Sequence, residues 1–160
     1  MININNIHNG NIKLEFPSIS FSQESNTYYW AIDESFEKED ESSSKVLRSL
    51  RIMLLKWIDA IVQNKEKRDI LYLPFDFADE YMGVLRVSFF NENVLNVEYG
   101  YTQMTNGWKI SPSQYKYFDI QINDFDSISP CIVMSIDDFI ESLNICIENI
   151  DSFGNVPDSR

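Results

Sequence analysis

GVLRVSFFNENVLNVEYGYTQ, residues 83–103, decides the fold. Val84, Arg86 and Ser88 alternate with Leu85, Val87 and Phe89. After Asn91, Glu92 and Asn93 the chain returns with Leu95, Val97, Tyr99 and Tyr101 on one face. Period two along both arms marks half-buried strands, and their β-branched and aromatic side chains suit a pleated surface. Asparagine tolerates the backbone of a tight turn, so the stretch reads as an antiparallel hairpin.

Working outward, Ile70–Leu73 predicts a short apolar strand stopped by Pro74. On the other side, Asn106 and Gly107 predict a second turn, Trp108–Ile110 a brief pairing segment and Tyr115–Ile122 one more strand. Near the N-terminus Ile12, Leu14 and Phe16 alternate with Lys13 and Glu15, a strand disturbed at Pro17. The polar run Ser22–Asn26 then reads as a hairpin loop, and the aromatic run Thr27–Ile32 as its second strand.

Two stretches carry the helical period instead. Leu47, Leu50, Leu54, Trp57, Ile58 and Ile61 form one apolar stripe, capped by Ser43 or Ser44 and ending at Asn64. Ile136, Phe139, Ile140, Leu143, Ile147 and Ile150 form another, with Ser135 as its cap and Asp138 three residues on. Hairpin-spaced strands and two amphipathic helices predict an α+β fold. It is a mostly antiparallel sheet of about five to six strands with both helices packed on it, a two-layer sandwich. Residues 1–160 are expected to form one domain, with a mobile acidic linker at 33–44 and a frayed tail from about 152.

Charge sorts the partners. The chain has 25 acids and 13 bases, a net charge of −12. Lys45–Arg68 holds seven bases and two acids, whereas Tyr117–Arg160 holds nine acids and one base. So negative a surface repels nucleic-acid phosphates and anionic membranes and attracts cationic proteins. Charge alone is equally well explained by solubility. Some of the basic helix's charge is expected to neutralise acids within the fold. The same helix is a poor nucleic-acid reader, since the acids just before it compete for its bases.

The chain shows no run of about 18 apolar residues, as a membrane-spanning helix requires. Its start lacks the basic and apolar regions of a secretion signal. Cys131 and Cys146 lie among apolar neighbours, make no disulfide framework and read as small buried hydrophobes. The expected compartment is the cytoplasm.

Catalytic vocabulary is sparse. His8 is the one histidine, which argues against a typical structural zinc site and against Ser-His-Asp or Cys-His catalysis. No glycine-rich phosphate loop is present. No cofactor or metal is expected. Carboxylates remain, and LPFDFADEY at residues 73–81 is the most unusual local sequence, with Asp76, Asp79, Glu80 and Tyr81 between two strands. It admits three readings. One is a loop pinned by its aromatics, with an acid bonding backbone amides. Another is a recognition surface, since aromatics anchor interface cores. The third is a carboxylate pair for hydrolysis. Glu37, Glu39, Asp40 and Glu41 of the linker form a second acidic patch. Asp137 and Asp138 suit the positive end of a helix dipole.

A small acidic α+β domain without a catalytic set, carrying an acid-and-aromatic loop, resembles the immunity proteins of bacterial toxin systems, including those of contact-dependent growth inhibition and polymorphic toxins. The likeness is one of type across the whole chain, with no motif, so no family residue is carried over. It implies a non-catalytic protein that covers the active site or substrate surface of a cognate basic protein toxin, such as a nuclease. Asp76, Asp79, Glu80 and Tyr81, with Glu37, Glu39, Asp40 and Glu41, are the expected contacts. The alternatives are a carboxylate-dependent hydrolase using Asp76, Asp79 or Glu80, and a structural subunit of a larger assembly.

Overall fold

A computed structural model of the chain describes residues 1–6, 11–25, 43–105 and 122–154. The expected strand over 27–32, that over 115–122 except Ile122, the linker acids Glu37, Glu39, Asp40 and Glu41, His8 and residues 106–110 lie outside them.

The class is α+β, with antiparallel pairing throughout, but the described strands divide into two sheets. The first is β1 (Asn3–Asn6), β2 (Ile12–Phe16) and β3 (Phe21–Ser25), in that order. The second is built on β4 (Leu71–Phe77), β5 (Met82–Phe89) and β6 (Val94–Thr102), with β7 (Asp126–Ser127) and β8 (Ile132–Ser135) both paired to β6. Helix α1 (Ser43–Asn64) follows the first sheet and α2 (Ile136–Gly154) ends the described chain.

The first hairpin turns earlier than its polarity suggests. Pro17–Ile19 make one 3-10 turn, closed by Ser20 at φ 52° with its N–H donating to Pro17 O at 3.2 Å. Proline presets the φ of that turn. Ser22–Ser25, expected as loop, is therefore strand, in register with Ile12–Glu15. Strand β1 has no period-two apolar pattern long enough to announce it. Its edge lies along α2, where Ile2 N–H donates to Ser142 Oγ at 3.3 Å and Ile4 N–H to Cys146 Sγ at 3.4 Å. Helix cover of this kind closes a sheet edge that would otherwise be free.

Pro74 does not stop its strand. Strand β4 runs through it to Phe77, and the register with β5 shifts between Pro74 and Asp76, leaving Phe75 as the extra residue. A proline without an N–H is tolerated at a bulge and on an edge strand, and β4 ends the sheet order. All seven β4 residues are buried, so both faces of this strand are covered.

The far edge of β6 is lined by one interrupted strand. Gly100 pairs with Ser127 and Val97 with Ile132, so residues 98 and 99 face residues 128–131 across a two-residue bulge. Tyr99 O accepts from Ile128 N and Ser129 N at 2.9 and 3.1 Å, and Tyr99 N–H donates to Ser129 Oγ at 2.7 Å. The Ser129 hydroxyl thus stands in for a ladder carbonyl.

Both helices bury their expected stripes. Leu50, Leu54, Trp57 and Ile61 of α1 and Phe139, Leu143, Ile147 and Ile150 of α2 join one core with residues of both sheets. Ser135 Oγ accepts from Asp138 N–H at 2.9 Å, the expected N-cap of α2. Ser43 and Ser44, expected as the end of the linker and the cap of α1, lie inside the helix, and α2 runs to Gly154. No helix of the described residues is long and apolar enough to cross a membrane. Both cysteines are free. Cys146 is buried as expected, but Cys131 is exposed because it lies at the bulge before β8.

Candidate protein-binding surface

The unusual sequence at 73–81 divides by burial. Because β4 extends to Phe77, only Ala78–Tyr81 connect it to β5. Asp79 and Glu80 at this tip are exposed, and Tyr81 is half-buried. Asp76 is 4% exposed and belongs to the interior. Its Oδ1 accepts from Ser25 Oγ at 2.9 Å and its Oδ2 from Tyr81 Oη at 3.4 Å. Asp76 therefore ties β3 of the first sheet to β4 of the second and holds the base of the tip, instead of offering a contact at the surface.

Aromatic rings complete that anchor. Tyr81 meets Tyr101 edge-on at 4.8 Å, and Tyr101 meets Tyr99 edge-on at 5.6 Å. Burial, and then the Asp76 carboxylate, pushes the Tyr81 and Tyr101 phenols above their ordinary value of 10.0. Both stay neutral at neutral pH and supply no phenolate base. Paired carboxylates for hydrolysis must face one substrate from one cleft. Here Asp76 faces inward while Asp79 and Glu80 stand in solvent.

A second acid is structural. Asp124 accepts from the Thr102 hydroxyl and, at 2.8 Å, from Gln103 N–H. Burial pushes its carboxyl up, but the bonds from Thr102 and from backbone N–H groups outweigh that, so it lies below the ordinary 3.8. Asp124 thereby pins residues 122–127 across the end of β6. No group of three or more His, Cys, Asp or Glu among the described residues could hold a metal ion.

A larger acidic surface lies beyond the tip. Residues 71–105 and 122–154 carry twelve acids against one base, Arg86. Arg86 is already committed, with Nη2 2.7 Å from Glu98 Oε2 and its guanidinium 4.8 Å from the centre of the Phe125 ring. Helix α2 has no base, and Asp137, Asp138, Glu141 and Glu148 lie exposed along it. Steps of three, four and seven put these on the face opposite the apolar stripe, a signal legible in the sequence. Helix dipole complementarity accounts for Asp137 and Asp138 but not for Glu141 and Glu148, which are beyond the first turn. The basic helix α1 is partly neutralised as expected, since Arg51 bonds Asp151 through Nε at 2.7 Å and Nη2 at 3.3 Å.

No protein-family model matches the chain, and no curated protein or solved structure does either.

Proposed function

We propose that this chain is a non-catalytic acidic binding protein of the immunity type, which neutralises a basic protein toxin by covering its active site or substrate surface. The observation that carries this reading is the twelve-to-one excess of acids over bases in residues 71–105 and 122–154, with the single base paired internally. Exposed carboxylates on the turns of the second sheet and along α2 complement a cationic groove that otherwise takes a phosphate backbone. The buried Asp76 fits as a support that fixes Asp79 and Glu80 at the β4–β5 tip.

The test expresses the product of the reading frame adjacent to this one, with and without this chain. Growth arrest relieved only by coexpression is the expected result, and a harmless neighbour or an unrelieved arrest rejects the reading. With that partner purified, the Asp79→Lys, Glu80→Lys variant is expected to bind more weakly in dilute salt, with a flatter salt dependence. Unchanged affinity would remove the tip from the contact surface.

A further inference from the structure

The outer face of the second sheet is covered at one end and carries two exposed apolar side chains at the other. Ile122 and Phe125 lie over the covered end, where Tyr72 Oη donates to Ile122 O at 3.2 Å and the Tyr72 and Phe125 rings are 5.8 Å apart. That cover reaches the Arg86–Glu98 pair, whose guanidinium lies 4.8 Å from the Phe125 ring. Beyond it, strand register aligns Ser88, Asn96 and Val133 in one cross-strand row and Phe90, Val94 and Ser135 in the next. The last row is tied by Phe90 N–H to Val94 O at 2.9 Å. Period two sends both rows to the side of the sheet away from the core residues Val87, Leu95 and Val97.

Two large apolar side chains stand in solvent there. Phe90 is 72% exposed and Val133 66% exposed. Lone exposed apolar residues are ordinary, but Phe90 and Val133 flank β6 on the same face of the sheet, with the half-buried Val94 beside Phe90 between them. The rim of this patch is acidic, with exposed Glu92 on the β5–β6 turn and exposed Asp137 and Asp138 at the start of α2, which Ile136 N–H bonds to Asn93 O at 2.9 Å. Charge selects the occupant. A second copy would set these acids against their own equivalents across a two-fold axis, in a chain of net charge −12. Nucleic acid and anionic lipid are repelled in the same way.

We infer that this patch docks a basic protein, with Phe90 and Val133 entering an apolar recess while Glu92, Asp137 and Asp138 meet lysines or arginines around it. The inference rests on the binding reading above and gives it an apolar anchor. That anchor lies at the other end of β5 from Asp79 and Glu80, roughly 25 Å away for a strand of this length. An apolar centre within a charged rim is the usual anatomy of a specific interface.

The probe is a short amphipathic Lys/Leu peptide, with a Lys/Ser peptide of equal charge as control, followed by amide NMR on the full chain. The Lys/Leu peptide is expected to shift Phe90, Val133 and Asp137. The Phe90→Ser, Val133→Thr variant keeps a β-branched residue in the strand and should retain its thermal midpoint while binding at least about tenfold more weakly. The Lys/Ser peptide should not distinguish variant from parent. Equal affinity of variant and parent for the Lys/Leu peptide overturns the inference, as do shifts confined to Asp79 and Glu80. A parent that sediments as a dimer dissolved by the double substitution also overturns it, in favour of a second copy. A toxin that binds parent and variant equally removes this anchor and leaves the immunity reading standing. A chain that gives no protection from its neighbour's product defeats that reading, while the peptide experiment still decides the patch.

Discussion

Gly83 lies opposite Asp76 on β4 and Tyr101 on β6, and a methyl group there would meet the Tyr99 hydroxyl and come within 2.8 Å of Asp76 Cβ. Neither neighbour can retreat cheaply. Tyr99 is fully buried between Phe21 and Phe75, and Asp76 is held by Ser25 and Tyr81. Gly83→Ala is expected to lower the unfolding free energy by about 1–3 kcal/mol, the range for overpacking, as read from the urea midpoint. An undisturbed midpoint would mean that the Tyr99 ring moves freely. Asp124 makes a prediction in pH. Its folded carboxyl titrates below its unfolded value, so its contribution is complete above the unfolded value and is lost as pH falls through the folded one. Asp124→Ala should therefore be less stable than the parent at neutral pH by on the order of 1 kcal/mol for its bonds to Thr102 and Gln103. The gap should close in acid, and a gap that persists there would assign the loss to something other than ionisation. The interior position of Asp76 was not legible in the sequence. Nothing local distinguishes it from Asp79, and only the continuation of β4 through Pro74 and the arrival of Ser25 from another sheet enclose it.

At the scale of elements, α2 rests on its cap. Ser135→Ala removes the acceptor for Asp138 N–H and is expected to cost about 1 kcal/mol, seen as a lower thermal midpoint, while Ser135→Asp should retain it. Equal midpoints for parent and Ser135→Ala would mean that water replaces the hydroxyl at no cost. The helices and the β5–β6 hairpin could be read in advance because each buries a stripe that stays continuous over several turns or pleats. The elements that could not be read lack that property. Strand β3, FSQES, is mostly polar and is recruited by the Pro17 turn. Strand β7 has two residues, and β8 reaches β6 only past a bulge in which a serine hydroxyl replaces a backbone acceptor. Strand β4 outruns its expected end because Pro74 breaks an interior strand but not an edge one. The single expected sheet became two because β1, β2 and β3 pair among themselves, with β1 closed off by α2 through Ser142 and Cys146.

Across the whole molecule the two signs are segregated, and segregation makes a field that no single ion pair does. Lys45–Arg68 is net positive, while residues 71–105 and 122–154 carry twelve acids and one base. The bridge from α1 to α2, Arg51 to Asp151, joins side chains 40% and 48% exposed, a setting in which ion pairs contribute at most about 1 kcal/mol. That pair therefore adds little to the fold, and Glu141 and Glu148 lie beyond the first turn that the dipole serves, so in the proposed reading their effect falls on encounter with a charged partner. Steering and contact can be separated by kinetics. The Asp138→Lys, Glu141→Lys, Glu148→Lys variant takes the net charge from −12 to −6. If these residues steer a basic partner without touching it, association slows by about tenfold or more in dilute salt, dissociation is unchanged, and the difference fades as the Debye length shrinks to about 3 Å near 1 M salt. If they touch it, dissociation quickens as well, and the loss persists in high salt because desolvated contacts are poorly screened. A triple reversal that alters neither rate constant would leave the acidic field without a role in binding, and the excess charge would then serve solubility alone.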